Sequence, residues 1–181
     1  MITQQEREQA LEEYLEQVSL LIKKGHPLRK SLEEVLLDEG KKPVHLPFTV
    51  EEEKQILRLA RGSIWPVKEC YRNAAQLAIR AKDLGIEKAN YAEGLGISHG
   101  VGINFPFEHA LLLLNDKPVD LTWRSSKTRP KTPADYLEIA RINLGENAYR
   151  VLEFSTELVT KLAIAHGSYG PITAIAQGVR T

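Results

Sequence analysis

The chain has one cysteine in 181 residues, no excess of either charge, and no long apolar run. Each shortage removes a class of protein. A single thiol, Cys70, allows no internal disulfide, and it excludes the zinc ribbons and fingers that need paired cysteines. That usage fits a reducing cytoplasm. Lys plus Arg and Asp plus Glu stand at 24 each, so no global field draws the chain to nucleic acid or to an anionic membrane. No apolar stretch reaches the ~20 residues of a membrane span. The polar start Ile2-Thr3-Gln4-Gln5-Glu6 does not read as a signal peptide. Neither a membrane nor a nucleic acid is therefore expected as a partner. The 43% of apolar residues suffice for the core of one domain.

Helical spacing opens the chain. Leu11, Tyr14, Leu15, Val18, Leu21 and Ile22 recur on one face from about Gln4 to Lys24, and Gly25-His26-Pro27 ends the run. A second helix is expected from Leu28 to Leu37, stopping at Gly40, with Lys41 to Pro47 as a linker. Thr49 followed by Glu52 is a capping-box pattern that opens a third helix, closed by Gly62. Residues 1–48 thus read as an N-terminal helical extension, and residues 49–181 as an α+β domain. The extension carries no chemical motif; it packs on the domain or docks a protein partner.

Cys70 lies at a predicted helix start, behind Pro66, and Tyr71, Ala74, Ala75, Leu77, Ala78 and Ala81 form the stripe that follows, up to Gly85. A thiol there meets unpaired N–H groups and the positive end of the helix dipole, both of which favour thiolate. The period then changes. Ala89 to Leu95 reads as a strand, and Gly94 to Gly102, the most glycine-rich stretch, as a mobile loop. Its third glycine comes one residue too late for a dinucleotide fingerprint, and no helix follows. Glu108 to Leu114 and Lys117 to Trp123 form a hairpin about the turn Asn115-Asp116, with Pro118 putting the second strand at an edge or bulge. The basic run from Arg124 to Pro133 is a solvated loop or a grip for an anionic substrate group. A helix (Ala134 to about Ile142), a strand (Tyr149 to Phe154) and a helix (Glu157 to Ala165) follow, and the tail from Ile172 to Thr181 is unassigned.

Three of these residues suit one another chemically. A thiolate attacks a carbonyl carbon, an imidazole holds and returns the proton, and a carboxylate fixes the imidazole's tautomer. Cys70, His109 and Asp120 supply the three groups in that order, the last two on adjacent arms of one hairpin. The same three types could instead ligate zinc. His26, His45, His99 and His166 lack such partners, with His99 the reserve base.

Cys70-Tyr71-Arg72-Asn73-Ala74-Ala75-Gln76-Leu77-Ala78, Tyr91 to Gly94, Glu108-His109-Ala110 and Val119-Asp120-Leu121-Thr122-Trp123 together resemble the transglutaminase-like, papain-fold superfamily. The likeness spans roughly residues 62 to 125. Leu111 and Glu69 stand where that family more often has Trp and a small residue. The resemblance implies a Cys-bearing helix packed on an antiparallel sheet, and a cysteine-dependent amide-bond hydrolase or acyl transferase with Cys70 as nucleophile, His109 as base and Asp120 orienting it. It implies neither a metal nor a cofactor, and the substrate is a peptide, protein or other amide. Candidate oxyanion or substrate-binding residues are Cys70 through its own N–H, then Trp65, Asn73, Glu108 and Trp123. The competing class is a non-catalytic interaction module that keeps the fold.

Overall fold

The computed structural model describes residues 2–25, 30–101, 105–125 and 127–173. Among them, six α-helices surround a four-stranded antiparallel sheet, which makes the chain an α+β protein. The helices are α1 (Gln4–Gly25), α2 (Leu32–Glu39), α3 (Val50–Ala60), α4 (Cys70–Asp83), α5 (Pro133–Glu146) and α6 (Thr156–His166). The strands are β1 (Ala89–Ile97), β2 (Phe107–Leu114), β3 (Lys117–Val119) and β4 (Ala148–Phe154), in the order β3-β2-β1-β4. Among the described residues, no helix is long and apolar enough to cross a membrane.

Local chemistry sets the boundaries. Ser31, Thr49 and Thr132 each close a capping box with the residue three positions on, and Ser155 caps α6. Ser31 explains why α2 is regular only from Leu32; the expected start at Leu28 lies outside the described residues. Helix α4 is different, because Glu69 precedes it without a side-chain cap and pairs with Arg72 at 2.7 Å instead. Its first N–H groups stay uncapped. At the hairpin, Asn115 and Asp116 both take positive φ (50° and 63°), the pattern of a type I′ turn whose twist matches the strands. Pro118 does sit on an edge strand, where its missing N–H costs no ladder bond.

The expected mobile loop from Gly94 to Gly102 is a strand over its first half. β1 runs on through Gly94 and Gly96 to Ile97, and His99–Val101 forms one 3-10 turn; Gly102 lies outside the described residues. Gly94 and Gly96 serve close approach. A Cβ on Gly94 would lie 2.2 Å from the Arg150 carbonyl oxygen, and one on Gly96 would lie 2.7 Å from the Trp123 ring.

Helix α4 lies on β1 and β2. Its small residues Ala74, Ala75, Ala78 and Ala81 share a core cluster with Tyr91, Ala110, Leu112 and Leu114, so its backbone can come near the sheet and bring Cys70 to the strands. The N-terminal helices are packed down as well. Leu11, Leu15 and Leu36 cluster with Leu95, Ile97 and Ala148, and burial of each such leucine contributes ~1.5–3 kcal/mol. Arg7 donates to the Glu146 carbonyl at 2.7 Å, and Arg150 donates to the carbonyls of Leu36 and Leu37. The start of the tail is pinned too. The buried Glu93 carboxylate accepts from the Tyr91 hydroxyl, from the Ile172 N–H at 2.8 Å, and from the Thr173 N–H and hydroxyl.

The two kinds of glycine should separate in denaturant. Gly94→Ala should destabilise by about 1–3 kcal/mol or more, since backbone must move to admit the methyl. Gly145→Ala, on an exposed helical position with no atom within 4 Å of the added Cβ, should gain from a few tenths to ~1 kcal/mol. Urea unfolding midpoints measure both, and equal midpoints for the two variants would contradict the close-approach account.

Candidate active site

Cys70 is the first helical residue of α4, after a loop in which Lys68 takes a left-handed φ of 67°. Asn73, buried one turn into the helix, holds that loop. Its amide donates to the Pro66 carbonyl at 2.7 Å and to the Thr122 hydroxyl at 3.0 Å, tying the segment before Cys70 to the turn that carries Asp120. The strand register puts His109 opposite Gly94, and Asp120 lies one residue past the end of β3. There the chain leaves the ladder and folds back on the Asp120 side chain.

His109 Nε2 and Asp120 Oδ2 are 2.9 Å apart, at 2% and 1% exposure. Asp120 accepts from four donors. Oδ1 takes the N–H groups of Thr122 and Trp123 at 2.8 and 3.2 Å; Oδ2 takes His109 and, at 3.1 Å, the Tyr149 hydroxyl. A carboxylate so supplied stays ionised, so Nε2 carries the hydrogen and Nδ1 is the nitrogen left for the thiol. His109 and Cys70 lie close enough for each to shift the other's titration.

The titrations follow from these contacts. Burial pushes the Cys70 thiol up, but His109 and the N–H groups of Ala110 and Tyr71 outweigh it, and the net shift is down. Burial pushes His109 down, yet the charge and hydrogen bond of Asp120, with the Cys70 contact, raise it to about 9. For Asp120, burial raises the carboxyl and His109 more than reverses it, so it lies below its ordinary range. Together these shifts make the thiol easier to ionise than an ordinary cysteine, beside an imidazole that holds its second proton up to about pH 9.

A layer of rings backs the imidazole. Trp123 stacks on His109 with centroids 3.8 Å apart and planes 13° from parallel, and Tyr149 stacks on Trp123 at 5.6 Å. Gly96 leaves the space for Trp123 and Tyr149. Behind Tyr149 stand two buried amides. Asn147 donates to the Tyr149 hydroxyl at 2.9 Å and to Asn143 Oδ1 at 3.1 Å, and Asn143 donates to the carbonyls of Asp120 and Trp123. Sequence reading missed Tyr149, Asn143 and Asn147. The available signal was no more than two asparagines four residues apart at the junction of the predicted helix and strand.

The remaining candidates fall in different places. Trp65 is buried, its backbone N–H donates to the Tyr136 hydroxyl at 3.1 Å, and Asn73 spends its amide as described. The Trp65 backbone N–H and the Asn73 amide are thus taken, whereas the Trp65 indole N–H is buried without an acceptor. The Cys70 N–H, in the first turn of an uncapped helix, has no intrahelical acceptor. Glu108 is exposed and accepts from the Tyr71 hydroxyl at 3.1 Å. His45 and His99 bond Leu144 and Asn147, His166 is exposed at the end of α6, and His26 lies outside the described residues. A groove of about 490 Å³ opens over Cys70, walled by Val67, Lys68, Phe107, Glu108 and Trp123. Cys70 and His109 line the same groove and shift each other's titration, and His109 in turn pairs with Asp120. Among the described residues, no group of three or more His, Cys, Asp or Glu side chains could hold a metal ion.

Compared with family models, with curated proteins and with solved structures, the chain matches none.

The rate of Cys70 alkylation by iodoacetamide should follow a thiol titrating below the ordinary value of ~8.5. His109→Ala should move that midpoint upward, because burial then acts without its main counterweight. Identical profiles for the two proteins would show that no ion pair exists.

Proposed function

We propose that the protein is a cysteine-dependent enzyme of amide bonds, working through an acyl-enzyme on Cys70. The observation that carries this reading is the set Cys70, His109 and Asp120, with the thiol at an uncapped helix start and the carboxylate buried under four donors. The order of the Cys, His-Ala and Asp-x-Thr motifs supports a transglutaminase-like assignment.

The steps follow from the groups. The thiolate attacks the carbonyl carbon, and the oxyanion that develops is met by the Cys70 N–H. His109, as imidazolium, gives its proton to the leaving nitrogen, the C–N bond breaks, and a thioester remains. Water then attacks the thioester as the neutral imidazole takes its proton; the acid leaves and the thiolate returns. Asp120 keeps the proton on Nε2 throughout and stabilises the imidazolium. The groove over Cys70 shows no separate subsite for an amine among the described residues, so water is the favoured acceptor and the reading is a peptidase or amidase.

The pH profile has a determined sign. Turnover needs the thiolate, so it falls as pH drops through the lowered thiol value; it also needs the imidazolium, so it falls as pH rises through about 9. Asp120→Asn should keep the fold and slow acylation by up to ~10⁴-fold, since an amide can hold the wrong tautomer. Mass spectrometry of the acyl-enzyme, chased with water or with a primary amine, separates the outcomes. Free acid that amine does not divert supports hydrolysis, and saturable diversion into an amide product marks a transferase. No adduct with any ester or amide would leave a binding module.

A further inference from the structure

Among the described residues, Arg124 makes no ion pair with a carboxylate. It follows Trp123 directly and is half-buried. Its guanidinium donates to the carbonyls of Leu121 and Trp65 and lies 5.7 Å over the Tyr136 ring, and its Nε–H is buried with no acceptor. Among the described residues, none of its hydrogen-bond acceptors is a carboxylate. The carboxylate whose charge reaches it, Asp120, is already committed to His109. Even a half-buried cation held only by carbonyl dipoles and a ring carries a desolvation cost, and an anion would relieve it.

Its position says where the anion would bind. Arg124 and Trp123 line the Cys70 groove and also a second cavity of about 400 Å³. No Asp or Glu lines that second cavity; Ser98, His99, Ser125, Thr128 and Ile142 do. His99 is held there by Asn147 Oδ1, which accepts from its N–H and from Nδ1, both at 2.9 Å. The hydroxyls of Ser125 and Thr128 can donate to an anion, and the basic run continues through the exposed Lys127, Arg129 and Lys131. Asn147 also supports Tyr149 under Asp120, so one buried amide braces both cavities.

We propose that Arg124 and this second cavity bind a carboxylate of the substrate, so that the protein selects amides bearing a free carboxylate near the bond it attacks. This rests on reading the Cys70 groove as the acyl-transfer site. Arg suits the task, because its planar fork matches carboxylate geometry. The carboxylate can come from a chain terminus or from an acidic side chain.

Binding to the Cys70→Ala protein, followed by calorimetry, separates the site from the chemistry. The probes are N-acetyl dipeptides in two matched pairs, one with a Glu or a Gln side chain, the other with a free or an amidated C-terminus. At least a tenfold preference for the acid in one pair is expected, and the responding pair identifies the source of the carboxylate. Arg124→Gln should abolish the preference. Because Arg124 also braces Leu121 and Trp65, Ile142→Glu is the companion variant: it puts a carboxylate at a cavity position that is 38% exposed, and it should cut the preference tenfold without lowering Tm. Equal affinity within both pairs, or a preference that survives both variants, would overturn the proposal. If the acids bind as expected while wild type forms no acyl-enzyme, the carboxylate site stands and the reaction assigned to Cys70 falls. If acyl-enzyme forms with no acid preference, the reverse holds.

Discussion

The Asp120 carboxylate is the constraint on which the rest of the site depends. A buried charge is tolerable only when every oxygen is supplied, and here two backbone N–H groups, an imidazole and a phenol supply it. Satisfying Asp120 fixes the turn after β3, the tautomer of His109 and the position of Tyr149 together. Removing one partner would leave the charge buried and underpaired, a loss of ~3–5 kcal/mol in comparable pairs. The pair also has a pH window. His109, raised to about 9, contributes fully below the ordinary imidazole value and loses that contribution as pH rises through about 9. Asp120, lowered, contributes above the ordinary carboxylate range and loses it as pH falls through its own depressed value.

Around that carboxylate, each neighbouring element contributes one support. Asn73 couples the α4 start to Thr122, so the thiol and the Asp120 turn move as a unit. Trp123 covers the imidazole, and Gly96 makes room for Trp123. Asn143 and Asn147 bring α5 and the start of β4 to the same point. The thiol itself needs no cap. Helix α4 lacks the side-chain cap that serines and threonines supply elsewhere in this fold, and the Tyr71 N–H turns to the Cys70 thiol instead.

Much of this was legible in the sequence, for identifiable reasons. The Cys70 helix announces itself by its apolar period, and the hairpin by Asn115-Asp116 between strand-like runs, so the chance for His109 and Asp120 to meet could be read locally. Gly94 and Gly96 misled because glycine has one composition and two uses; only the backbone of β4 and the ring of Trp123 show that close approach is the use here. For Trp65 and Asn73 the difficulty is of another kind. Whether an N–H is free depends on acceptors far along the chain, such as Tyr136, 71 residues from Trp65. Tyr149 and Asn147 arrive through an edge strand whose pairing with β1 no local pattern specifies.

The charge state of His109 bears most directly on the account. ¹⁵N NMR of the imidazole, followed against pH, reports protonation at both ring nitrogens. A ring doubly protonated at neutral pH that loses one proton only near pH 9, with that midpoint falling in Asp120→Asn, is the result expected from the buried carboxylate and the facing thiolate. A His109 that is neutral at pH 7 in the wild-type protein would contradict it.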